Sequence, residues 1–176
     1  GYGSLPKGLL QFHAYADSAR TPVEEHLTEA ALYASSQGEA DVHFTVSSEH
    51  RELFEELLER VVPEYEQEYK VTYHVSLSEQ LPSTDTVAAN EDGTPFRTAE
   101  GELLFRPGGH GALIRNLDAL DTDVVFIKNI DNVVPDSLKA DTVLWKQVLA
   151  GVLVSVQEQT FRYLHLLESG NYSHAD

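Results

Sequence analysis

The sequence predicts an α/β fold of the three-layer sandwich type, built on a mostly parallel, Rossmann-like sheet. Segments with strand character alternate with segments of helical periodicity along most of the chain. The continuous apolar run Val124 to Ile127 is typical of a strand buried on both faces. Such alternation favours helices on both sides of the sheet, with right-handed crossovers between the strands.

The first elements are short. We expect a strand at Leu9 to Phe12, then a helix introduced by Thr21 to Glu24, where threonine, proline and glutamate form a capping box with proline at the first helical position. This helix is expected to reach about Ser36, with Gly38 ending it. Val42 to Val46 is rich in β-forming residues and predicts the next strand.

A second helix and a third strand follow. Ser47 and Ser48 are candidate caps of the helix, and Pro63 marks either its end or a kink. Val71 to Leu77 alternates apolar and polar residues with the period of a strand. The second helix is predicted from apolar side chains that recur at helical spacing, namely Leu53, Phe54, Leu57, Leu58 and Val61.

The second half of the chain contains predicted turns and two helices. Asn90 to Thr94 and Thr98 to Gly101 have the composition of hairpin tips, and Ala112 to Leu120 predicts a short helix. Asp141 to Glu168 holds helical spacing, and we expect its apolar face to cover the sheet or another helix. Gly151 inside this helix predicts close packing or a bend.

Composition limits the function. With 176 residues, residues 1–176 are expected to form one domain. The net charge of -17 argues against nucleic acid or an anionic membrane as partner. The chain contains no cysteine, so disulfides and thiolate chemistry are excluded. Neither a signal peptide nor a membrane span is visible, and we expect a cytoplasmic protein.

A glycine-dense turn is the first candidate for function. Gly108, Gly109, His110 and Gly111 precede a helix, and glycines allow a backbone to approach a ligand while a helix N-terminus offers unpaired N–H groups. Two interpretations are open, since the turn can wrap a base or phosphate or be an ordinary turn. His110 can likewise contact a ligand or bond back into its own loop.

Polar residues at the end of the predicted strand 124–127 are the second candidate. Lys128, Asn129, Asp131 and Asn132 lie where ligands bind in open α/β sheets. Asp131 is the predicted Mg²⁺ ligand, because Mg²⁺ commonly bridges one or two carboxylates to substrate phosphates. The alternative is that Asp131 and Asn132 cap a loop. The basic residues near this site in sequence are Lys7, Arg106, Arg115 and Lys128.

The order of these motifs resembles the sugar-1-phosphate uridylyltransferases, which include the UDP-glucose and UDP-N-acetylhexosamine pyrophosphorylases. The resemblance covers about Leu5 to Gly170. Residues 105–134 resemble more closely an uncharacterised bacterial domain-of-unknown-function family, which itself resembles those enzymes distantly. It rests on Pro6-Lys7-Gly8, Gln80-Leu81-Pro82, Asp92-Gly93, Pro107-Gly108-Gly109-His110-Gly111 and Ile130-Asp131-Asn132. It implies a nucleotidyltransferase fold of the GT-A type.

The resemblance also implies roles for individual residues. Lys7 and Asp131 are the expected catalytic residues, with Lys7 contacting phosphate and Asp131 holding Mg²⁺. Apart from the resemblance, Arg106 and Lys128 are further phosphate-binding candidates because they are cations near this site in the sequence. The expected nucleotide-binding residues are the four residues of the glycine turn, Gly108, Gly109, His110 and Gly111, together with Gln80 and Asn132. The implied partners are a UTP-like nucleoside triphosphate and a sugar phosphate, which would react to release pyrophosphate.

Two departures from these enzymes leave a second function open. Only Gly1 to Leu5 stands where the glycine-rich phosphate loop is expected, and no second metal-binding aspartate follows the Asp131 region. We therefore expect the chain to be the inner part of a larger catalytic domain. The alternative is a catalytically silent nucleotidyltransferase-like domain that binds a nucleotide or sugar phosphate, or only supports a partner.

Overall fold

The computed structural model describes residues 3, 5–170 and 172, and the chain divides into two compact units, Gly1–Val133 and Val134–Asp176. Gly1, Tyr2 and Ser4, where the resemblance places the phosphate loop, lie outside the described residues. The first unit contains helices α1 (Pro22–Tyr33), α2 (Arg51–Tyr69) and α3 (Ile114–Asp118), and strands β1 (His13–Ala14), β2 (Ala19–Arg20), β3 (Glu39–Val46), β4 (Thr72–Glu79), β5 (Thr86–Val87) and β6 (Phe105–Arg106). The second unit contains α4 (Lys139–Ser169).

The parallel pair β3–β4 forms the centre of the first unit. Its strands pair in register from Glu39 with Thr72 to Val46 with Glu79, and α2 connects them. Alternate residues of both strands face a core that they share with α1 and α2. This core contains Val23, Leu27, Ala30, Ala40, Phe44, Val46, Phe54, Leu57, Leu58, Val61, Tyr65 and Tyr73.

The opposite face of the pair is polar. It presents alternate residues of the two strands, namely Glu39, Asp41, His43, Thr45, Thr72, His74, Ser76 and Ser78. The described sheets are three two-stranded pairs, β1–β2, β3–β4 and β5–β6, of which β3–β4 is the parallel one. The three-layer sandwich with a mostly parallel sheet therefore stays a prediction, as does the single domain.

Helix α1 begins as the sequence predicts. The Thr21 side chain accepts a hydrogen bond from the Glu24 backbone N–H, and the Glu24 carboxylate accepts one from the Thr21 N–H at 2.7 Å. Pro22 occupies the first turn. The capping box is confirmed, because its partners are close in sequence and need no tertiary contact to find each other. The helix ends at Tyr33, three residues before the predicted Ser36.

Pro63 does not end the second helix, so one of the two predicted alternatives is wrong. Helix α2 continues through Pro63 to Tyr69 and stops at Lys70, which adopts the left-handed conformation with φ 58°. Pro63 is exposed, so water can reach the carbonyl that proline leaves without a donor. The predicted caps also differ, since a 3-10 turn at Ser48–His50 precedes α2 and Ser47 makes no side-chain cap.

Two predicted strands are wrong. Leu9 to Phe12 lies partly in a 3-10 turn, Lys7–Leu9, and the strand begins only at His13. Val124 to Ile127 is irregular rather than a strand, with Val125 40 % and Ile127 66 % exposed. Its side chains alternate between half-buried and exposed positions, so the segment is covered on one side and open on the other.

The predicted hairpin tips are confirmed. The backbone N–H of Asn90 donates to the Thr94 carbonyl at 2.8 Å, and that of Thr98 donates to the Glu102 carbonyl at 2.9 Å. Gly93 and Gly101 supply the positive φ that these turns require. The short strands β5 and β6 pair antiparallel on either side and lead into the glycine turn.

The second unit is dominated by α4, a helix of 31 residues that ends at Gly170 with φ 68°, as predicted. The expected cover on its apolar face is not found within this unit, because Trp145 is 63 % and Leu149 62 % exposed. Of the two alternatives predicted for Gly151, close packing is wrong, since a Cβ added there meets nothing within 4 Å, and a bend stays a prediction. In the described part of the chain, no helix is both long and apolar enough to cross a membrane.

Candidate functional site

The structure brings together the two residues predicted to be catalytic. Lys7 Nζ lies 2.6 Å from Asp131 Oδ2, although the residues are 124 positions apart in the sequence. Both side chains reach solvent, at 66 % exposure for Lys7 and 38 % for Asp131. A cation and a carboxylate are therefore held side by side at a surface that a ligand can approach.

Lys7 and, to a smaller extent, His110 lower the pKa of Asp131. The hydrogen bond from Lys7 and the charge of its ammonium group lower the pKa of the Asp131 carboxyl below its usual value, and His110 adds a smaller effect in the same direction. His110 lies at the start of a 3-10 turn, His110–Leu113, just after the glycines. His110, which belongs to the glycine turn, is thus near enough to Asp131 to affect the pKa of its carboxyl.

Gly8 allows the Lys7 segment to reach this place. A Cβ added at Gly8 would lie 2.9 Å from Cζ of Phe54 and 3.2 Å from Cγ1 of Ile130. Gly8 is buried, so its backbone packs directly between α2 and the residue preceding Asp131. The close approach explains why glycine follows Lys7, a position that the sequence analysis quoted without assigning it a role.

The segment leading to Asp131 is held against α1. Phe126, Lys128 and Ile130 are its half-buried residues, and each contacts a successive turn of that helix. The contacts are Tyr33 with Phe126 (ring centroids 5.0 Å apart), Glu29 with Lys128 (2.5 Å) and His26 Nε2 with the Ile130 carbonyl (3.1 Å). Helix α1 therefore fixes the position of Asp131.

Lys128 is placed differently from the other predicted phosphate-binding residues. Its side chain is only 9 % exposed and its ammonium group pairs with Glu29, whose side chain is 1 % exposed. The hydroxyl of Tyr33 donates to the same carboxylate oxygen of Glu29 at 2.8 Å. The phosphate-binding role of Lys128 stays a prediction. Its ammonium charge already has the Glu29 carboxylate as partner.

Neither His26 nor Glu29 was among the predicted site residues. A glutamate between Thr28 and Ala30 on the buried side of an otherwise well-packed helix is an available signal, since carboxylates are rarely buried without a partner. The identity of that partner depends on tertiary contacts about a hundred residues away, as with Lys128 (99 positions from Glu29).

His26 should make stability depend on pH. Burial lowers the pKa of His26, and the charge of Lys128 adds to this effect. Below about pH 6.5 the unfolded chain gains a proton at this position that the folded chain resists, so the free energy of unfolding should fall as pH falls toward the folded pKa. Urea titrations at pH 7.5, 6.5 and 5.5 measure this effect.

The matched variants for this test are His26→Gln and His74→Gln. His26→Gln should flatten the loss of stability below pH 6.5, because glutamine does not titrate. His74→Gln is the control for the loss of an imidazole at the surface, since the His74 side chain on β4 is 52 % exposed. An unchanged profile in His26→Gln would refute the assignment.

The glycine turn has one sterically required glycine. A Cβ at Gly108 would lie 2.6 Å from the Thr84 carbonyl oxygen and 2.9 Å from Cβ of Ala112, so the turn packs tightly there. The Gln80 amide donates to the Gly108 carbonyl at 3.4 Å, which brings two predicted base-binding positions together. A Cβ at Gly109 or Gly111 meets nothing within 4 Å, so the surface above them is open.

The remaining predicted site residues are at the surface. Arg106 is exposed on β6, and its carbonyl accepts a hydrogen bond from the Thr86 hydroxyl at 3.4 Å. Asn132 is exposed and its backbone N–H donates to the Asn129 carbonyl at 3.0 Å, which closes the turn containing Asp131. Phosphate binding by Arg106 and nucleotide binding by Asn132 stay predictions.

Asp131 is the one predicted metal ligand. Within residues 3, 5–170 and 172, no group of three or more His, Cys, Asp or Glu side chains is arranged to hold a metal ion. Mg²⁺ frequently uses one or two carboxylates and completes its shell with water and substrate phosphate. An exposed Asp131 with a lowered pKa fits that mode.

Comparison with known families decides the classification. The family described as Domain of unknown function (DUF4301) matches residues 1–176, which is the whole sequence. The chain belongs to the DUF4301 family. The predicted membership of an uncharacterised family is thereby confirmed, whereas the likeness of this DUF4301 chain to UDP-sugar pyrophosphorylases stays a prediction. No curated protein and no solved structure matches the DUF4301 chain.

Proposed function

We propose that the chain carries a nucleotidyltransferase site, at which a nucleotidyl group passes from a UTP-like nucleoside triphosphate to a sugar 1-phosphate. The observation that carries the proposal is the 2.6 Å contact between Lys7 and Asp131, which joins the expected phosphate-binding and metal-binding groups. Likeness to the UDP-sugar pyrophosphorylases, a GT-A-type fold and a cytoplasmic location are parts of the same proposal.

The proposed reaction is a nucleophilic substitution at the α-phosphorus of the nucleoside triphosphate. An oxygen of the sugar phosphate attacks the α-phosphorus, a new P–O bond forms, and the bond to the bridging oxygen of the β-phosphate breaks. Pyrophosphate leaves with that bonding electron pair. Such a reaction depends on in-line positioning and charge neutralisation more than on acid or base groups.

The chain's own residues would divide these tasks. Lys7 is exposed enough to turn from Asp131 to a phosphate, and Arg106 offers a second cation. Asp131 would hold Mg²⁺ together with substrate oxygens, and a bound Mg²⁺ would neutralise charge on the triphosphate. The open surface over Gly109 and Gly111, framed by Gln80, His110 and Asn132, would receive the nucleoside.

One contact favours the catalytically silent alternative. Lys128, a predicted phosphate-binding residue, is buried and engaged by Glu29, which leaves one cation fewer for the charge that turnover must neutralise. Such a domain would bind a nucleotide or sugar phosphate without turnover, or would only support a partner protein.

An assay with separate readouts for binding and turnover tests the proposal. The protein is titrated with UTP in the presence and absence of Mg²⁺ by calorimetry, and pyrophosphate release is followed with UTP, Mg²⁺ and glucose 1-phosphate or N-acetylglucosamine 1-phosphate. We expect Mg²⁺-dependent UTP binding and pyrophosphate release that requires the sugar phosphate. Binding without release would support the silent domain, and the absence of any binding would overturn the nucleotide site.

A further inference from the structure

Helix α4 carries an exposed apolar stripe with the spacing of a coiled coil. Starting at Thr142, intervals of three and four residues alternate as far as Tyr163. The two polar positions are Thr142 and Gln159. The five apolar positions, each between 42 % and 63 % exposed, are Trp145, Leu149, Val152, Val156 and Tyr163. This alternation keeps one side of a helix against a partner helix, and we call it the Trp145 stripe.

The stripe is large enough for a specific interface. Val148, Leu153 and Leu167 flank it and are also exposed. Over two copies of the chain, these side chains expose on the order of 1,000 Å² together with the stripe. A specific interface buries at least about that area in total, and apolar patches of this size commonly mark interaction sites.

The stripe is complementary to itself when two helices run antiparallel. Facing side chains of a coiled coil meet in layers. A parallel pair would set Trp145 against Trp145 and Gln159 against Gln159. In the antiparallel register, each apolar layer instead joins a larger side chain to a valine, and the two polar residues share a layer. These layers are Leu149 with Val152, Trp145 with Val156, and Thr142 with Gln159.

The charges beside the stripe fit the same register. Asp141 and Arg162 each come one residue before a position of the stripe, so they lie on the same side of it. In the antiparallel register, Asp141 faces Arg162 of the second copy, and charges that flank a coiled-coil seam set the choice and orientation of the partner. The Arg162 guanidinium lies 5.1 Å from the centroid of the Tyr163 ring, which keeps this cation beside the stripe.

We propose that α4 forms the interface of a homodimer, in which two copies of this chain pair their Trp145 stripes antiparallel. The two-fold axis passes between Leu149 and Val152, and each side of the axis has one Asp141–Arg162 pair. Such an interface closes on itself and stops at two copies. The proposal depends on the second unit alone, so it is independent of nucleotidyl transfer.

Sedimentation equilibrium of the whole 176-residue chain over a range of concentrations tests the dimer. We expect a reversible monomer–dimer equilibrium. Val152→Glu should raise the dissociation constant by at least about 100-fold, since both copies would place a carboxylate in the interface at a cost of about tenfold each. A chain that stays monomeric at every concentration would overturn the proposal.

Val154→Glu is the matched control. Val154 is exposed and lies outside the stripe, on the opposite side of α4. The same substitution there should leave the dissociation constant unchanged. Equal weakening in Val152→Glu and Val154→Glu would show that the Trp145 stripe is not the interface.

A charge exchange tests the antiparallel orientation. Asp141→Arg should weaken the dimer by about 10-fold, because it would face Arg162 of the second copy. Adding Arg162→Asp should restore the wild-type dissociation constant. In a parallel dimer, Asp141 would instead lie near Lys146 of the second copy, and the double variant would stay weak. Failure of Arg162→Asp to rescue Asp141→Arg would therefore overturn the antiparallel arrangement.

Disulfide cross-linking gives an independent test, because the chain contains no cysteine of its own. Thr142→Cys and Gln159→Cys proteins are oxidised separately and as a mixture. We expect covalent dimers in the mixture alone, since these positions share a layer only between antiparallel copies. Efficient cross-linking of either variant by itself would indicate a parallel pair and contradict the proposal.

Discussion

Replacing Lys128 by methionine is expected to destabilise the first unit by about 3–5 kcal/mol, the usual cost of removing one partner from a buried ion pair. The variant would leave the Glu29 carboxylate buried, with the Tyr33 hydroxyl as its remaining donor and with Oε1 unpartnered. It would also detach the segment before Asp131 from α1. Urea denaturation monitored by circular dichroism measures the change.

A double variant shows how much of the stability lost in Lys128→Met comes from the broken ion pair and how much from lost packing. Lys128→Met combined with Glu29→Gln removes both charges, so we expect it to recover most of the lost stability. The interaction free energy from the four-protein cycle should be large, as for other contacting buried groups. If the double variant is as unstable as Lys128→Met, the loss comes from packing, and the importance of the charge pair is refuted.

The second large effect is expected at Asp131. Under the proposed function, Asp131→Asn should lower Mg²⁺-dependent pyrophosphate release by at least about 100-fold, since the anionic ligand for the metal is lost where charge must be neutralised. The unfolding midpoint should stay close to that of the wild type, because Asp131 and Lys7 are both exposed and surface ion pairs contribute little.

Asp123→Asn is the matched control for that variant. Asp123 is exposed in the same unit and lies before the segment that contacts α1, so the substitution removes an equal charge without touching the site. Its activity should equal that of the wild type. Full activity in Asp131→Asn would contradict the metal-binding role, and equal losses in both variants would indicate a general effect of charge.

Local signals in the sequence gave the most accurate predictions. The capping box at Thr21, the hairpin tips at Asn90 to Thr94 and Thr98 to Gly101, and the alternating strands around Val42 and Val71 were confirmed, because neighbouring residues determine these features. The strand predicted at Val124 to Ile127 was wrong. Four apolar residues in a row do not show whether both sides of a segment are covered, and here only one side is.

The candidate site was only partly accessible to sequence reasoning. Asp131 was singled out by its place after the predicted strand 124–127 and Lys7 through a resemblance. Their pairing with each other was not predicted, nor was the contribution of Gly8 and His26. These contacts join segments that are distant in sequence. Lys128 shows the same difficulty, since an exposed phosphate-binding lysine and a buried one paired with Glu29 look identical in the sequence.

Because Lys7 and Asp131 are 124 positions apart, their contact closes a long loop of the chain. Closing so long a loop carries an entropic cost that grows with its length, and an exposed ion pair is too weak to overcome it. The buried contacts of Gly8 and His26 with Ile130 must therefore form first. The exposed pair adds little stability of its own, so a mutation that loosens these buried contacts should separate Lys7 from Asp131.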